Sequence, residues 1–162
     1  LEYERAEYSS DVNNWPDFRE ETVEWDIVSW CHGAVGIGMS RLNLWDSLVY
    51  KQENEIVIKN ALNKMFEERL HHLDTLCCGN SGRIDFLLEL ERRGLLSEQI
   101  DNYIELLKKN LIHKYLNGEL RYFSKFETTD INVGLYQGLS GIGYALLRTM
   151  DPSKYRSLLL FD

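Results

Sequence analysis

The sequence predicts an all-α fold, and three observations predict it. Apolar residues recur at helical spacing along most of the chain. The 162 residues include only two prolines, Pro16 and Pro152. A Gly-x-x-Gly signature opening an apolar run occurs three times, as Gly33-Ala34-Val35-Gly36, Gly79-Asn80-Ser81-Gly82 and Gly138-Leu139-Ser140-Gly141. Their first glycines lie 46 and 59 residues apart, with one amphipathic helix between successive copies. A period near 50 with two helices per unit implies stacked helical hairpins. The short glycine-opened helices, apolar all round, are expected inside and the amphipathic ones outside. The closed form of that arrangement is an α/α toroid, and three hairpins make its C-terminal portion.

The elements follow in order. Residues 1–8 read as a helix end, and 9–22 as a polar loop around Asn14-Trp15-Pro16-Asp17. Asp26 to Trp30 approaches Cys31. A short helix is predicted from about Val35 to Trp45, on Ile37, Leu42, Leu44 and Trp45. Residues 54–70 form a longer amphipathic helix with Ile56, Ala61, Leu62, Met65, Phe66 and Leu70 on or near one face. Gly82 to Arg93 has an almost all-round apolar body. Ser97 is placed to N-cap the next helix, which runs to about Tyr115. Residues 117–134 mix aromatics, Thr and Gly and predict a loop or one small β-hairpin. Gly141 to Met150 is the last helix, stopped by Asp151-Pro152. The apolar tail from Ser157 to Asp162 must dock to stay folded.

Bulk composition excludes several classes of function. Hydrophobic residues are 44% and charged residues 27%, as in ordinary globular chains. Net charge is -8 without a Lys/Arg cluster, which argues against nucleic acid as a partner. No apolar stretch approaches the ~20 residues of a membrane span. The charged start, Leu1-Glu2-Tyr3-Glu4-Arg5, lacks the apolar run of a secretory signal. Three cysteines, an odd number, argue against a disulfide framework and for a reduced, cytoplasmic setting.

Those three cysteines carry the chemistry. Cys31-His32-Gly33 is followed 46 positions on by Cys77-Cys78-Gly79. Three soft donors from separate turns suit one zinc ion with a fourth position left for substrate. A structural zinc would need a fourth protein ligand, and only His32 or distant histidines are on offer. Glycine at such a turn supplies positive φ or close backbone approach. A thiol just before a helix N-terminus is favoured as thiolate.

With these motifs in place, a family resemblance is visible. Ser29-Trp30-Cys31-His32-Gly33-Ala34, Leu76-Cys77-Cys78-Gly79-Asn80-Ser81-Gly82 and Gly134-Leu135-Tyr136-Gln137-Gly138-Leu139-Ser140-Gly141-Ile142-Gly143 resemble the LanC-like cyclase domain. The nearest version is the C-terminal domain of class II lanthipeptide synthetases (LanM type). Tyr3-Glu4-Arg5 and Asn14-Trp15-Pro16-Asp17 resemble the segment before the first cysteine in that class. The resemblance covers essentially the whole chain, residues 1–162, as the C-terminal portion of such a domain.

The resemblance implies an α/α toroid holding one zinc, with Cys31, Cys77 and Cys78 as ligands. Cys78 stands where the stand-alone cyclases have a histidine. It also implies an activity: adding cysteine thiolates of a dehydrated precursor peptide to dehydroalanine or dehydrobutyrine, giving lanthionine and methyllanthionine rings. A non-catalytic module that binds thiols such as glutathione or peptide through zinc is the alternative. The family's acid/base histidine and aspartate lie upstream of the first cysteine. Residues 1–30 contain no histidine, so that residue is expected before Leu1, as are the rest of the synthetase and its dehydratase domain.

Other residues are weighed against this chemistry. A proton must reach the enolate carbon after addition, and His32 is either the residue that shuttles it or an orienting, packing side chain. Trp30 is expected to pack behind Cys31. The Arg83-Asp85 pair either touches peptide or forms a surface ion pair. Tyr136 and Gln137 open the third inner helix and line the mouth of the barrel, with Tyr136 a substrate-binding candidate. His71, His72 and His113 read as solvated.

Overall fold

The computed structural model describes residues 2–18, 27–45, 50–123 and 131–161. Among these residues it is all-α, with six helices: α1 (Glu2–Glu7), α2 (Ala34–Leu42), α3 (Lys51–Glu67), α4 (Asn80–Arg92), α5 (Glu98–Leu116) and α6 (Leu139–Arg148). The chain forms two compact units, Leu1–Arg69 and Leu70–Asp162.

In the first unit α2 packs against α3. Ala34, Val35, Met39 and Leu42 are buried on α2, and Val57, Ile58, Ala61 and Met65 on α3. Positions 57, 58, 61 and 65 follow the i, i+1, i+4, i+8 rule of one helical stripe. Ile56, expected on that stripe, is 61% exposed, because one residue before Val57 turns it about 100° off the face. Buried charge on this face is paired: Lys64 with Glu68 at 2.7 Å, and Arg41 with Glu4. α1 itself buries nothing. It is held by Trp15, whose indole N–H donates to the Glu4 carbonyl at 2.8 Å and whose ring lies 4.8 Å from that of Tyr8.

In the second unit α4 packs against both α5 and α6. Every residue from Asn80 to Leu90 is buried, as an inner helix requires. Each buried Leu or Phe there contributes about 1.5–3 kcal/mol. The amphipathic α5 buries one stripe, Ile100, Ile104, Leu107 and Leu111. The Ser97 hydroxyl accepts from the Ile100 N–H at 3.3 Å, the predicted cap. Gly94 and Gly118 end α4 and α5 with φ of 75° and 69°. Each closes a Schellman pair, Leu95 N–H to Leu90 O at 3.0 Å and Glu119 N–H to Lys114 O at 2.7 Å.

Two expectations for this unit need correction. Of the loop or small β-hairpin expected at 117–134, residues 117–123 and 131–134 carry no strand, against the hairpin alternative, and 124–130 lie outside the described residues. Instead the Phe123 N–H donates to Gln137 O at 3.1 Å, and the Asn132 amide donates to Phe123 O at 2.7 Å. Nor do Arg83 and Asp85 form a surface ion pair: they are 3% and 1% exposed. Residues two apart on a helix do not face each other. The partner of Asp85 is Arg148, which is fully buried and also pairs with Glu89. The tail docks as expected. The Ser157 hydroxyl donates to Asp85, and Leu159 and Leu160 are 3% and 4% exposed.

Burial pushes the Asp85 carboxyl up from the usual range, against Arg148 and the Ser157 hydroxyl. Burial acts the same way on Glu89, but Arg93, Arg148 and Arg92 together outweigh it and hold that carboxyl below its usual value.

Candidate metal and peptide site

The three Gly-x-x-Gly turns share one backbone register. Gly33, Gly79 and Gly138 are the N-caps of α2, α4 and α6. A methyl group on each would strike the carbonyl oxygen six residues earlier, at 1.8 Å (Ile27), 2.5 Å (Leu73) and 2.3 Å (Asn132). Three residues further on, Gly36 and Gly141 repeat the pattern against Trp30 O at 2.0 Å and Leu135 O at 1.9 Å. Only Gly33 has positive φ, 81°. At Gly79 and Gly138 the backbone is extended, so close approach rather than handedness demands glycine there. Aligned on the N-caps, Cys31-His32, Cys77-Cys78 and Tyr136-Gln137 occupy equivalent positions. The spacing of the motifs in the sequence already contains this correspondence.

The first turn, in the first unit, presents Cys31 and His32. Val28 pairs with Gly33 as an isolated bridge, and the Ser29 N–H donates to His32 O at 3.0 Å. The Asn14 amide donates to Ile27 O at 3.0 Å, bracing the turn from the Asn14-Trp15-Pro16-Asp17 segment. From that segment Asp17, 6% exposed, brings Oδ2 to 3.7 Å from His32 Nδ1, ion-pair distance when the imidazole is protonated. Sequence reasoning did not find Asp17 as the partner of His32. Its signal was the Asn-Trp-Pro-Asp motif, read there only as a mark of family.

The second turn, in the second unit, presents Cys77 and Cys78 as half-buried thiols outside any disulfide, with sulfurs 3.1 Å apart. Its frame is polar and buried. Asp74, fully buried, accepts from Lys114 Nζ at 2.8 and 3.1 Å, from the Arg121 N–H at 2.9 Å and from the Asn80 amide at 2.9 Å. Asn80 also ties the main chain of His71 and Leu73. His71 is therefore part of this frame and half-buried, not a solvated helix end: α3 stops at Glu67, and its Nδ1 accepts from the Leu73 N–H at 3.1 Å. Burial, then the neighbouring His72 and Arg83, push its pKa down. His72 and His113 are exposed, as expected.

The third turn meets the second directly: the Cys77 N–H donates to Tyr136 O at 2.9 Å. Tyr136 is 37% exposed. Arg83, the other peptide-binding candidate, lies inside the buried stretch of α4.

The donor chemistry fits zinc. Two thiolates on one tetrahedral zinc, at Zn–S of ~2.3 Å, lie about 3.8 Å apart. An opening of less than about 1 Å lets Cys77 and Cys78 share an ion, and vicinal side chains reach that by torsion alone. Cys77 and Cys78 thus give the second unit two adjacent sulfur donors, neither of them in a disulfide.

Residues 1–160 match the family described as Lanthionine synthetase C-like protein. The chain belongs to that family. Searches of curated proteins and of solved structures returned no match. Family membership makes this LanC-like chain part of a cyclase-type enzyme family. Among the described residues, no helix is long and apolar enough to cross a membrane.

Proposed function

We propose that this LanC-like chain is the C-terminal portion of the cyclase domain of a class II lanthipeptide synthetase. It forms thioether rings in a dehydrated precursor peptide, in the cytoplasm and in one polypeptide with a dehydratase domain. The α/α toroid is the architecture this reading entails. Cys31, Cys77 and Cys78 hold one zinc ion and leave its fourth position to substrate. The observation that carries the proposal is the second turn: two adjacent thiols outside any disulfide on a buried polar frame, in a chain of this family.

When bound, zinc supplies thiol activation, lowering the pKa of a cysteine thiol so that thiolate is available near neutral pH. The protein's residues do the rest. The Asp74 frame fixes where Cys77 and Cys78 stand. Addition of thiolate to a dehydro residue leaves an enolate carbon that must gain a proton. His32 holds that proton on its imidazole, oriented by the Asp17 carboxylate on Nδ1. Tyr136 receives peptide beside the Cys77 turn. Arg83, 3% exposed, takes no peptide contact in this reading.

The test is Cys31→Ala, Cys77→Ala and Cys78→Ala in the full-length protein. Each is expected to reduce bound zinc from about one per chain while dehydration of the peptide continues and ring closure stops. Mass spectrometry after thiol alkylation reads both steps. Dehydrated peptide with no thiol left to alkylate would show the ring-forming assignment wrong. Zinc and thiol binding without ring closure by the wild type would instead establish the non-catalytic alternative.

A further inference from the structure

Aligned on the N-cap glycines, the residue four places earlier is Ser29 in the first turn, Thr75 in the second and Gly134 in the third. A hydroxyl therefore stands two residues before Cys31 and two before Cys77, and none stands at that place before Tyr136, whose turn carries no sulfur. Both hydroxyl residues are buried, Ser29 at 2% exposure and Thr75 at 0%. The main chain of Thr75 is committed to the turn. Its carbonyl accepts from the Gly79 N–H at 3.0 Å, closing a five-residue loop over 75–79 that contains both cysteines. Its nitrogen would lie 2.6 Å from a methyl group at position 79, so the neck of that loop is tight. The side chain is not so committed. Thr75 Oγ1 is buried and has no hydrogen-bond partner among the described residues, whereas Asp74, Asn80 and Ser81 of the same frame are all bonded.

We infer that Thr75 is a positioning residue for the metal, its hydroxyl donating to a zinc-bound sulfur of the Cys77-Cys78 pair. This rests on the reading of Cys77 and Cys78 as zinc ligands under Proposed function. A buried hydroxyl left unbonded carries its full desolvation cost, so it points to a partner that arrives from outside the fold. The hydroxyl supplies one O–H donor, and a metal-bound thiolate is a charged acceptor with lone pairs to spare. Rotation of χ1 between staggered wells redirects that donor without moving the backbone of the loop. Partners of this kind orient metal ligands and set how tightly the ion is held. Valine would fill the same space without burying a polar atom. The hydroxyl therefore destabilises the metal-free protein and is satisfied only in the loaded one.

The experiment uses the full-length protein with Thr75→Val, which keeps the shape and removes the donor, and Thr75→Ser, which keeps the donor. Zinc affinity, measured by competition with a chromophoric chelator, is expected to fall about tenfold in Thr75→Val and to recover in Thr75→Ser. Cobalt(II) in place of zinc reads the sulfurs directly. Its thiolate-to-metal charge-transfer band is expected to move to lower energy in Thr75→Val, because a thiolate relieved of a hydrogen bond gives up electron density more easily, and to return in Thr75→Ser. Urea unfolding of the metal-free protein carries the opposite sign: Thr75→Val is expected to be at least as stable as wild type, since no bond is lost. Wild-type zinc affinity with an unmoved cobalt band in Thr75→Val overturns the inference. Marked destabilisation of the metal-free Thr75→Val protein, up to failure to fold, also overturns it, by making the hydroxyl a structural member of the turn. Wild-type protein that binds neither zinc nor cobalt would overturn the functional reading itself, an outcome distinct from variants that match a competent wild type.

Discussion

The first and second turns present cysteine on the same backbone register but are braced by different partners. The Cys77-Cys78 turn is locked by a fully buried carboxylate, Asp74, which gathers a lysine from α5, a main-chain N–H from the 119–123 segment and the amide of Asn80. The Cys31 turn is braced from the Asn14-Trp15-Pro16-Asp17 segment, by the Asn14 amide on Ile27 O and by Asp17 beside His32. The difference teaches that the glycine register specifies where a ligand stands, while the rigidity of that place is supplied separately by polar partners. A turn with many buried partners suits a permanent pair of donors.

The largest expected effect breaks the second brace. Asp74→Ala strands Lys114 and two N–H donors in a buried site, and should cost about 3–5 kcal/mol. Urea unfolding measures it, and a loss under 1 kcal/mol would remove Asp74 as the hub. Asn14→Ala should cost less, about 1–2 kcal/mol for one side-chain bond to a carbonyl. Its footprint distinguishes the turns: amide exchange should quicken over residues 27–33 and stay unchanged over 73–80. Equal quickening in both would mean the two braces are not separate.

Acid should weaken the second unit through Glu89. Its carboxyl is depressed in the fold below the ordinary 4.5. The stability it contributes is therefore complete above the unfolded value and is lost as pH falls through the depressed one. Asp85, raised by burial, has the opposite sign and works against stability once ionised. Thermal melts between pH 6 and pH 3 should show an acid limb that flattens in Glu89→Gln, and an unchanged limb would assign acid sensitivity elsewhere. The smallest effect lies outside both turns. Ser97→Ala should cost about 1 kcal/mol through the lost cap of α5, with zinc content untouched, as a control for general destabilisation.

Where the sequence spoke clearly, the signals were local. Five helices were legible from apolar spacing, the α5 cap from Ser97, and the shared register from glycines three residues apart. Residues that pair at long separation were not legible. Arg83 and Asp85 looked like a surface pair because adjacent opposite charges usually are. In the fold Asp85 meets Arg148, 63 positions on, and Ser157, 72 positions on. Ile56 looked like core because apolar content alone does not fix which side of a helix is covered.

By itself, then, the sequence determined the helical class, the three presenting turns and the three thiols that make this a LanC-like chain. All of these depend on residues within one or two helical turns of each other, where backbone preference and spacing suffice. Only the tertiary structure decided that Asp74 carries the Cys77-Cys78 turn, that Asp17 attends His32, and that Tyr136 touches the Cys77 backbone through its carbonyl. Those choices depend on which distant segments pack together, because a buried polar group must find a partner wherever the fold brings one within reach.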